Sequence, residues 1–304
     1  MRTPQALIDR VVELDRRYRH TWDAHAIAYI VGLSATTVAK ILRVVRGPRP
    51  KRVKRPHTRR THFIRRDVMW SSDFMELGWG WLLLTTMDEH SGYVLGWDLV
   101  RSESALAVIA HAESILARMG WAPLVWKYDH GSGFMSEIFQ GLLEERKIVP
   151  YPIAPRSPWV NGRTERDHQE VHNWLIALAG RELVREELKR EIDEQMLVRN
   201  FVKPRACLKF RKSAEVYFSD AAKLDAKNEI RGWLAQGLAE EKCLLGASDP
   251  AQVYEISKSG ERLHRRAVRT ALQKLGLYEE WDTAPERGSE EANVNRSGPL
   301  NVSF

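Results

Sequence analysis

Cysteine is nearly absent from this chain: Cys207 and Cys243 are the only two, and they stand far apart. That excludes a Cys-rich zinc site and a disulfide framework, and it fits a reducing compartment. His20 and His25 therefore have no cysteine pair to complete a zinc module. Long apolar runs are missing too. No stretch approaches the roughly 18 residues of a membrane-spanning helix, and the opening MRTPQALIDR has no apolar signal core, so neither membrane nor secretion is expected. The expected location is cytoplasmic, nucleoid-associated if the source is bacterial.

Acidic residues are scarce at the front. Residues 1–66 hold 17 Lys and Arg against 4 Asp and Glu, so the formal net charge of +7 conceals a front of +13 and a remainder of −6. With 304 residues, 43% of them apolar and 29% charged, the chain is ordinary for a globular protein of two or three domains. From Arg43 to Arg66 there are 11 basic residues and no acid, and Pro48, Pro50 and Pro56 prevent a continuous helix. Such a strap suits DNA phosphates, with Arg43, Arg52, Lys54, Arg55, Arg59 and Arg60 as candidate contacts. Six phosphate contacts would make the logarithm of the binding constant fall with log salt at a slope of about −5. The alternative is a solvated linker whose charge aids solubility.

Ahead of the strap, periodicity predicts three helices: Pro4 to about Arg19, Ala24 to Val31, and a helix capped by Ser34 that runs to about Val45. Gly32 permits a sharp turn between the last two, the pattern of a helix-turn-helix. The helix after the turn would enter the major groove, so Thr36, Thr37 and Lys40 are candidate DNA contacts. An inert helical bundle is the alternative.

The centre of the chain carries three acids in telling surroundings. Asp73 lies in MWSSDFMEL before the apolar run Trp79 to Thr86; Asp129 ends the run Pro123 to Tyr128 before HGSGF; Glu165 follows PRSPWVNGRT, 36 positions after Asp129. Both aspartates read as strand residues, and Gly131 and Gly133 allow a tight turn at the strand end. Phe134 to Lys147 reads as a helix with Ile138, Leu142 and Leu143 inward. A helix beginning near Gly162 would hold Glu165 in its first turn and pack through Val171, Leu175 and Leu178. Spacing alone decides nothing, since Asp67 with Glu103 and Asp193 with Glu229 have the same interval. Three carboxylates brought together suit a pair of Mg²⁺ ions and phosphoryl transfer. Such carboxylates repel one another without cations, so at least one is expected to have a raised pKa, with activity falling at acid pH.

WSSDF, YDHGSGF and PRSPWVNGRTERDHQEVH, in that order, resemble the catalytic core of retroviral-type integrases and bacterial DDE transposases. The likeness covers roughly Phe63 to Tyr217 and is most specific at NGRTER, with KPRACLKFRKSAEVY resembling the family's exit from the core. It implies an α/β, RNase H-like core with a five-stranded mixed sheet flanked by helices. It also implies a catalytic and metal-ligating role for Asp73, Asp129 and Glu165, with two Mg²⁺ or Mn²⁺ ions. Implied partners are double-stranded DNA, as element ends and target, and further copies of the chain; whether an ATPase partner selects the target is left open by the sequence. Arg163 and Arg166, flanking the glutamate, are candidates for holding the scissile strand, and Pro158 and Trp159 lie in a loop that could close over DNA. The chain departs from the family at His130, where Asn is usual, at Gly133, where a larger residue is common, and at Gln169 and His172, where basic residues often lie. His130 reads as a turn residue.

The expected organisation is a helix-turn-helix over 1–45, a basic linker over 46–66, the core over 67–218, a helical region over 219–281 and a disordered tail over 282–304. In the helical region, 220–241 and the amphipathic basic stretch Arg262 to Leu275 have helical periodicity, suited to DNA, a second subunit or capping. The expected activity is that of a DNA transposase or integrase. The alternatives are a DNA-binding regulator built from a transposase and an RNase H-like endonuclease.

Overall fold

The computed structural model describes residues 3–47, 59–153, 162–178, 181, 183–219, 227–244 and 258–282. It opens with helices α1 (Gln5–Arg17), α2 (Ala24–Val31) and α3 (Ala35–Arg46). Asp23 caps α2 by accepting from the Ala26 amide at 2.9 Å, and Ser34 caps α3 by accepting from the Thr37 amide at 3.1 Å. Between them Gly32 takes φ 71°, a left-handed conformation that a β-carbon disfavours. The chain turns through 116° from α2 to α3, as a helix-turn-helix does. Val11, Leu14, Ile27, Val38 and Leu42 close the small core. Arg46 pairs with the buried Asp15 and donates to the Trp22 carbonyl at 2.8 Å, tying the end of α3 back to α1.

Strand β1 (Arg59–Phe63) comes next, then a five-stranded mixed sheet. β2 (Met69–Gly78), β3 (Trp81–Asp88) and β4 (Val94–Val100) are antiparallel, whereas β5 (Val125–Tyr128) and β6 (Val149–Pro152) run parallel to β2, giving the order β4-β3-β2-β5-β6. Strand alternation sends Leu84 and Leu83 to opposite faces. Leu84, Trp70 and Trp126 pack with α4 (Ala105–Met119) and α5 (Glu137–Glu145) through Val108, Ile115 and Phe139. Leu83, Met87 and Leu99 pack with α6 (Gly162–Leu175) and α7 (Arg185–Leu197) through Val171, Trp174 and Ile192.

The N-terminal helices join this second layer. Arg19 lies 4.6 Å from the Trp174 ring and 2.8 Å from Glu191, and Lys203 reaches the Thr21 carbonyl at 3.4 Å. The helix-turn-helix is thus seated on the core through α1 and the loop after it.

After a π-helical segment Val198–Val202 come α8 (Ser213–Ser219), α9 (Lys227–Leu244), α10 (Lys258–Lys274) and β7 (Tyr278–Asp282). α10 covers the β6 edge: Ala267, Val268, Ala271 and Leu272 are buried with Leu124, Val125 and Tyr151, and Arg265 donates to the Pro152 carbonyl at 3.1 Å. Among the described residues no single helix is long and apolar enough to cross a membrane.

Several expectations shift. The stretch assigned to the basic linker contains β1, which pairs antiparallel with β7 in a separate two-stranded sheet, so the C-terminal region is not wholly helical and Asp282 ends a strand. Phe63 and Tyr278, 5.1 Å apart between ring centroids, anchor this pairing to the hydrophobic cluster beneath α10. Ile138 faces solvent and Phe139 is buried with Leu142 and Leu143; Ser136 caps α5, so the helix begins at Glu137 rather than Phe134. Trp79 sits in the β2–β3 turn at φ 49°. Residues 220–226, most of the strap at 48–58 and the tail at 283–304 lie outside the described residues.

Candidate active site and nucleic-acid interface

β2 and β5 are neighbouring parallel strands with Met69 opposite Val125, Trp70 opposite Trp126 and Ser71 opposite Lys127. Carrying that register two residues further puts Asp73 level with Asp129. Adjacent strands lie about 4.8 Å apart, so the two aspartates are neighbours across one inter-strand spacing. Burial pushes the Asp73 carboxyl up to about 7, with Asp129 adding to the rise, as expected of crowded acids. The Phe74 amide donates to Asp73 Oδ1 at 3.0 Å, and the Gly131 amide donates to Asp129 Oδ1 at 2.9 Å.

A third acid at this pair was missed in the sequence. Glu103, just before the Ser104 cap of α4, raises the pKa of Asp73 and is itself pushed up by burial and by Asp129. A β-carbon on Gly131 would lie 3.0 Å from both Asp129 Oδ1 and Glu103 Oε2, and one on Gly133 would lie 2.8 Å from the Glu103 carbonyl. The two glycines of HGSGF thus let the Asp129 turn close against Glu103. The available signal was that close-packed pair of glycines, not the spacing of the acids.

α6 lies over the pair. His168 Nδ1 is 3.9 Å from Asp73 Oδ2, and burial holds the imidazole down at about 4, so it is neutral near pH 7. The opposite side of α6 is clamped by ions. Asp167 is bound by Arg199 through the Nε–Nη2 edge of its guanidinium and by Arg205 at 3.1 Å, and Glu170 by Lys203 at 2.9 Å. Arg199 is buried, its Nη1 donating to the Gly92 carbonyl at 2.5 Å, and with Arg205 it holds the Asp167 carboxyl below the usual range despite burial. Gln169 and His172 are exposed, as is Arg166.

Glu165 is the fourth residue of α6, three positions before His168, which agrees with a first-turn glutamate; its side chain and that of Arg163 lie outside the described residues. Among the described residues no three His, Cys, Asp or Glu side chains are grouped to hold a metal ion. His130 Nε2 lies 3.0 Å from Glu261 of α10, linking the turn after Asp129 to the C-terminal region.

On α3, Thr36, Lys40 and Arg43 are exposed, whereas Thr37 serves the cap, with its hydroxyl 2.8 Å from Ser34 Oγ. Arg59 and Arg60 stand in β1 opposite Asp282 and Trp281, with side chains outside the described residues. Arg52, Lys54, Arg55, Pro158 and Trp159 lie wholly outside them. Arg66, at the end of the strap, packs inward with its guanidinium 5.2 Å from the Trp121 ring and 5.1 Å from that of Tyr217.

Residues 65–158 match the family model of the integrase core domain, a span that includes Asp73, Asp129 and Glu103 and stops short of Glu165. The Gag-Pro-Pol polyprotein of squirrel monkey retrovirus is 30% identical over 116 residues, 37% of this chain, and the chain spans only 6% of that polyprotein. Among solved structures, the catalytic core domain of BIV integrase is similar with a TM-score of 0.42 at 19% identity, covering 50% of this chain and 95% of its own. A chain of the simian T-cell lymphotropic virus intasome in complex with the PP2A regulatory subunit B56 gamma gives 0.48 at 17% identity, covering 70% of this chain and 76% of its own. Residues 65–158 are thus similar to the integrase core domain.

Proposed function

We propose that this chain is a DNA transposase or integrase that binds element ends, cleaves phosphodiesters there and joins the 3′-hydroxyl ends to target DNA. The observation that carries the reading is the level placement of Asp73 on β2 and Asp129 just past the end of the adjacent β5, within the span that matches the integrase core domain. The donor set suits a hard divalent cation: two carboxylates held side by side, with a third acid near them. Asp73, Asp129 and Glu165 would hold a pair of Mg²⁺ or Mn²⁺ ions. Positions 165 and 168 are one turn apart on α6, and His168 already lies against Asp73, which supports Glu165 as the third ligand. When bound, such ions activate a water or hydroxyl for attack on phosphorus and stabilise the leaving oxygen.

The remaining groups bind and position. Arg166, exposed on α6 beside Glu165, is suited to the phosphates of the scissile strand. The ion cluster of Asp167, Arg199, Arg205, Glu170 and Lys203 fixes the angle of α6, and with it the approach of Glu165 to the aspartates. Thr36, Lys40 and Arg43 present a free face of α3 to the major groove. The working unit in this reading is a multimer on paired DNA ends.

A fluorescent duplex carrying the element's terminal repeats, incubated with Mg²⁺ or Mn²⁺ and a target plasmid, tests the proposal. Joined products support it. Cut but unjoined DNA makes the chain a nuclease, and shifted but uncut DNA makes it a regulator.

A further inference from the structure

A cluster of arginines and tryptophans lies at the far end of the face that carries Asp73. Arg101 stacks on Trp81, its guanidinium carbon 3.5 Å from the ring centroid, and Arg185, the first residue of α7, lies 5.6 Å from the same ring. Arg181 is held beside them, because its carbonyl accepts the Trp79 indole N–H at 2.8 Å. All three arginines are exposed, and none forms an ion pair with a described carboxylate.

The sheet register connects this cluster to the acids. Asp73 pairs with Thr85, and Thr85 with Trp97. Strand alternation carries that face from Thr85 through Leu83 to Trp81, and from Trp97 through Leu99 to position 101. Trp81 pairs with Gly78, five residues along β2 from Asp73. At about 3.3 Å per strand residue the separation is about 16 Å, or about five base-pair steps of a duplex rising about 3.4 Å per step. α6 runs along the interval from His168 beside Asp73, its chain leading on to Arg181 beside Trp79, and shows Gln169 and His172 to solvent, with Arg166 exposed one turn earlier.

A guanidinium stacked on an indole is already fixed in orientation, and its N–H groups point outward in the plane of the stack, the edge that grips phosphate in pairs. Arg101 commits one N–H to the Gly80 carbonyl at 2.9 Å and keeps the others. Three cations without acidic partners among the described residues, on a surface aligned with the reacting acids, suit a chain of evenly spaced anions. We propose that Arg101, Arg181 and Arg185, ordered by Trp81, form a second nucleic-acid contact that grips the phosphate backbone about five base pairs from the bond under attack. The distance rests on Asp73 and Asp129 being the reacting centre; the contact itself does not.

The test is equilibrium binding of a labelled DNA duplex to the full chain, without divalent cation, over a range of salt. Replacing all three residues (Arg101→Gln, Arg181→Gln, Arg185→Gln) is expected to make the slope of log binding constant against log salt shallower by about 2.7, at about 0.9 per lost phosphate contact. The double variant Arg181→Gln with Arg185→Gln keeps the Arg101 bond to Gly80 and guards against a folding defect; it is expected to lose about 1.8. A wild-type slope in a double variant that melts like the wild type overturns the proposal. If the wild-type chain never joins DNA but the variants lose slope, the enzymatic reading fails and the contact stands. If joining occurs and the slope is unchanged, the contact fails alone.

Discussion

Asp73 and Asp129 repel each other across a single inter-strand spacing, two residues beyond the Ser71–Lys127 pair of β2 and β5. With Asp73 pushed up to about 7, protons compete with cation at the site. A raised carboxyl is protonated below its pKa, so activity at limiting Mg²⁺ is expected to climb with pH and level off above about 7. Raising Mg²⁺ tenfold should move the midpoint down by about one pH unit, for one competing proton. A midpoint indifferent to Mg²⁺ would contradict this. The same shift makes the cation-free fold less stable as pH rises from the unfolded value of 3.8 through about 7, and added cation should restore what is lost.

Arg199 and Asp167 set α6 from below, and Arg199 is buried with both edges of its guanidinium engaged. Arg199→Met leaves Asp167 buried with Arg205 as its remaining partner, and a loss of about 3–5 kcal/mol in unfolding free energy is expected in denaturant titration. Activity in the folded fraction should fall as well, since a displacement of about 1 Å at a reacting centre can cost about 10²-fold. A loss below about 1 kcal/mol, with full activity, would show that the cluster does not position the helix.

Much of the core was legible because its signals are local. The apolar runs after Asp73 and before Asp129, the glycines of HGSGF, and the Ser34 cap each act within a few residues. What escaped notice is tertiary. Asp67 and Glu103 looked like a decoy pair by spacing, yet folding separates them: Asp67 accepts from Trp70 at 2.9 Å and Tyr217 at 2.8 Å, while Glu103 joins the site. β1 was hidden because its partner β7 is the last described strand of the chain and Arg59–Phe63 reads as part of a basic run. At the start of α5 the inward stripe of Leu142 and Leu143 continues through Phe139, not Ile138, a choice between two adjacent apolar residues that periodicity alone leaves open.

Lys40 and Thr36 stand free on α3. Lys40→Ala is expected to weaken binding to every duplex alike and to make the salt slope shallower by about 0.9. Thr36→Ala should instead narrow the preference for element ends over random duplex, measured by competition. Equal effects of both variants on both kinds of DNA would remove α3 from sequence recognition.

The central claim is that Asp73, Asp129 and Glu165 act as one set. Asp73→Asn, Asp129→Asn and Glu165→Gln, each assayed for joining of a labelled element end to a target plasmid in Mg²⁺ and Mn²⁺, test it most directly. The account expects no joined product from any of the three, with duplex binding close to wild type. Persistent joining by any one of these variants would contradict it.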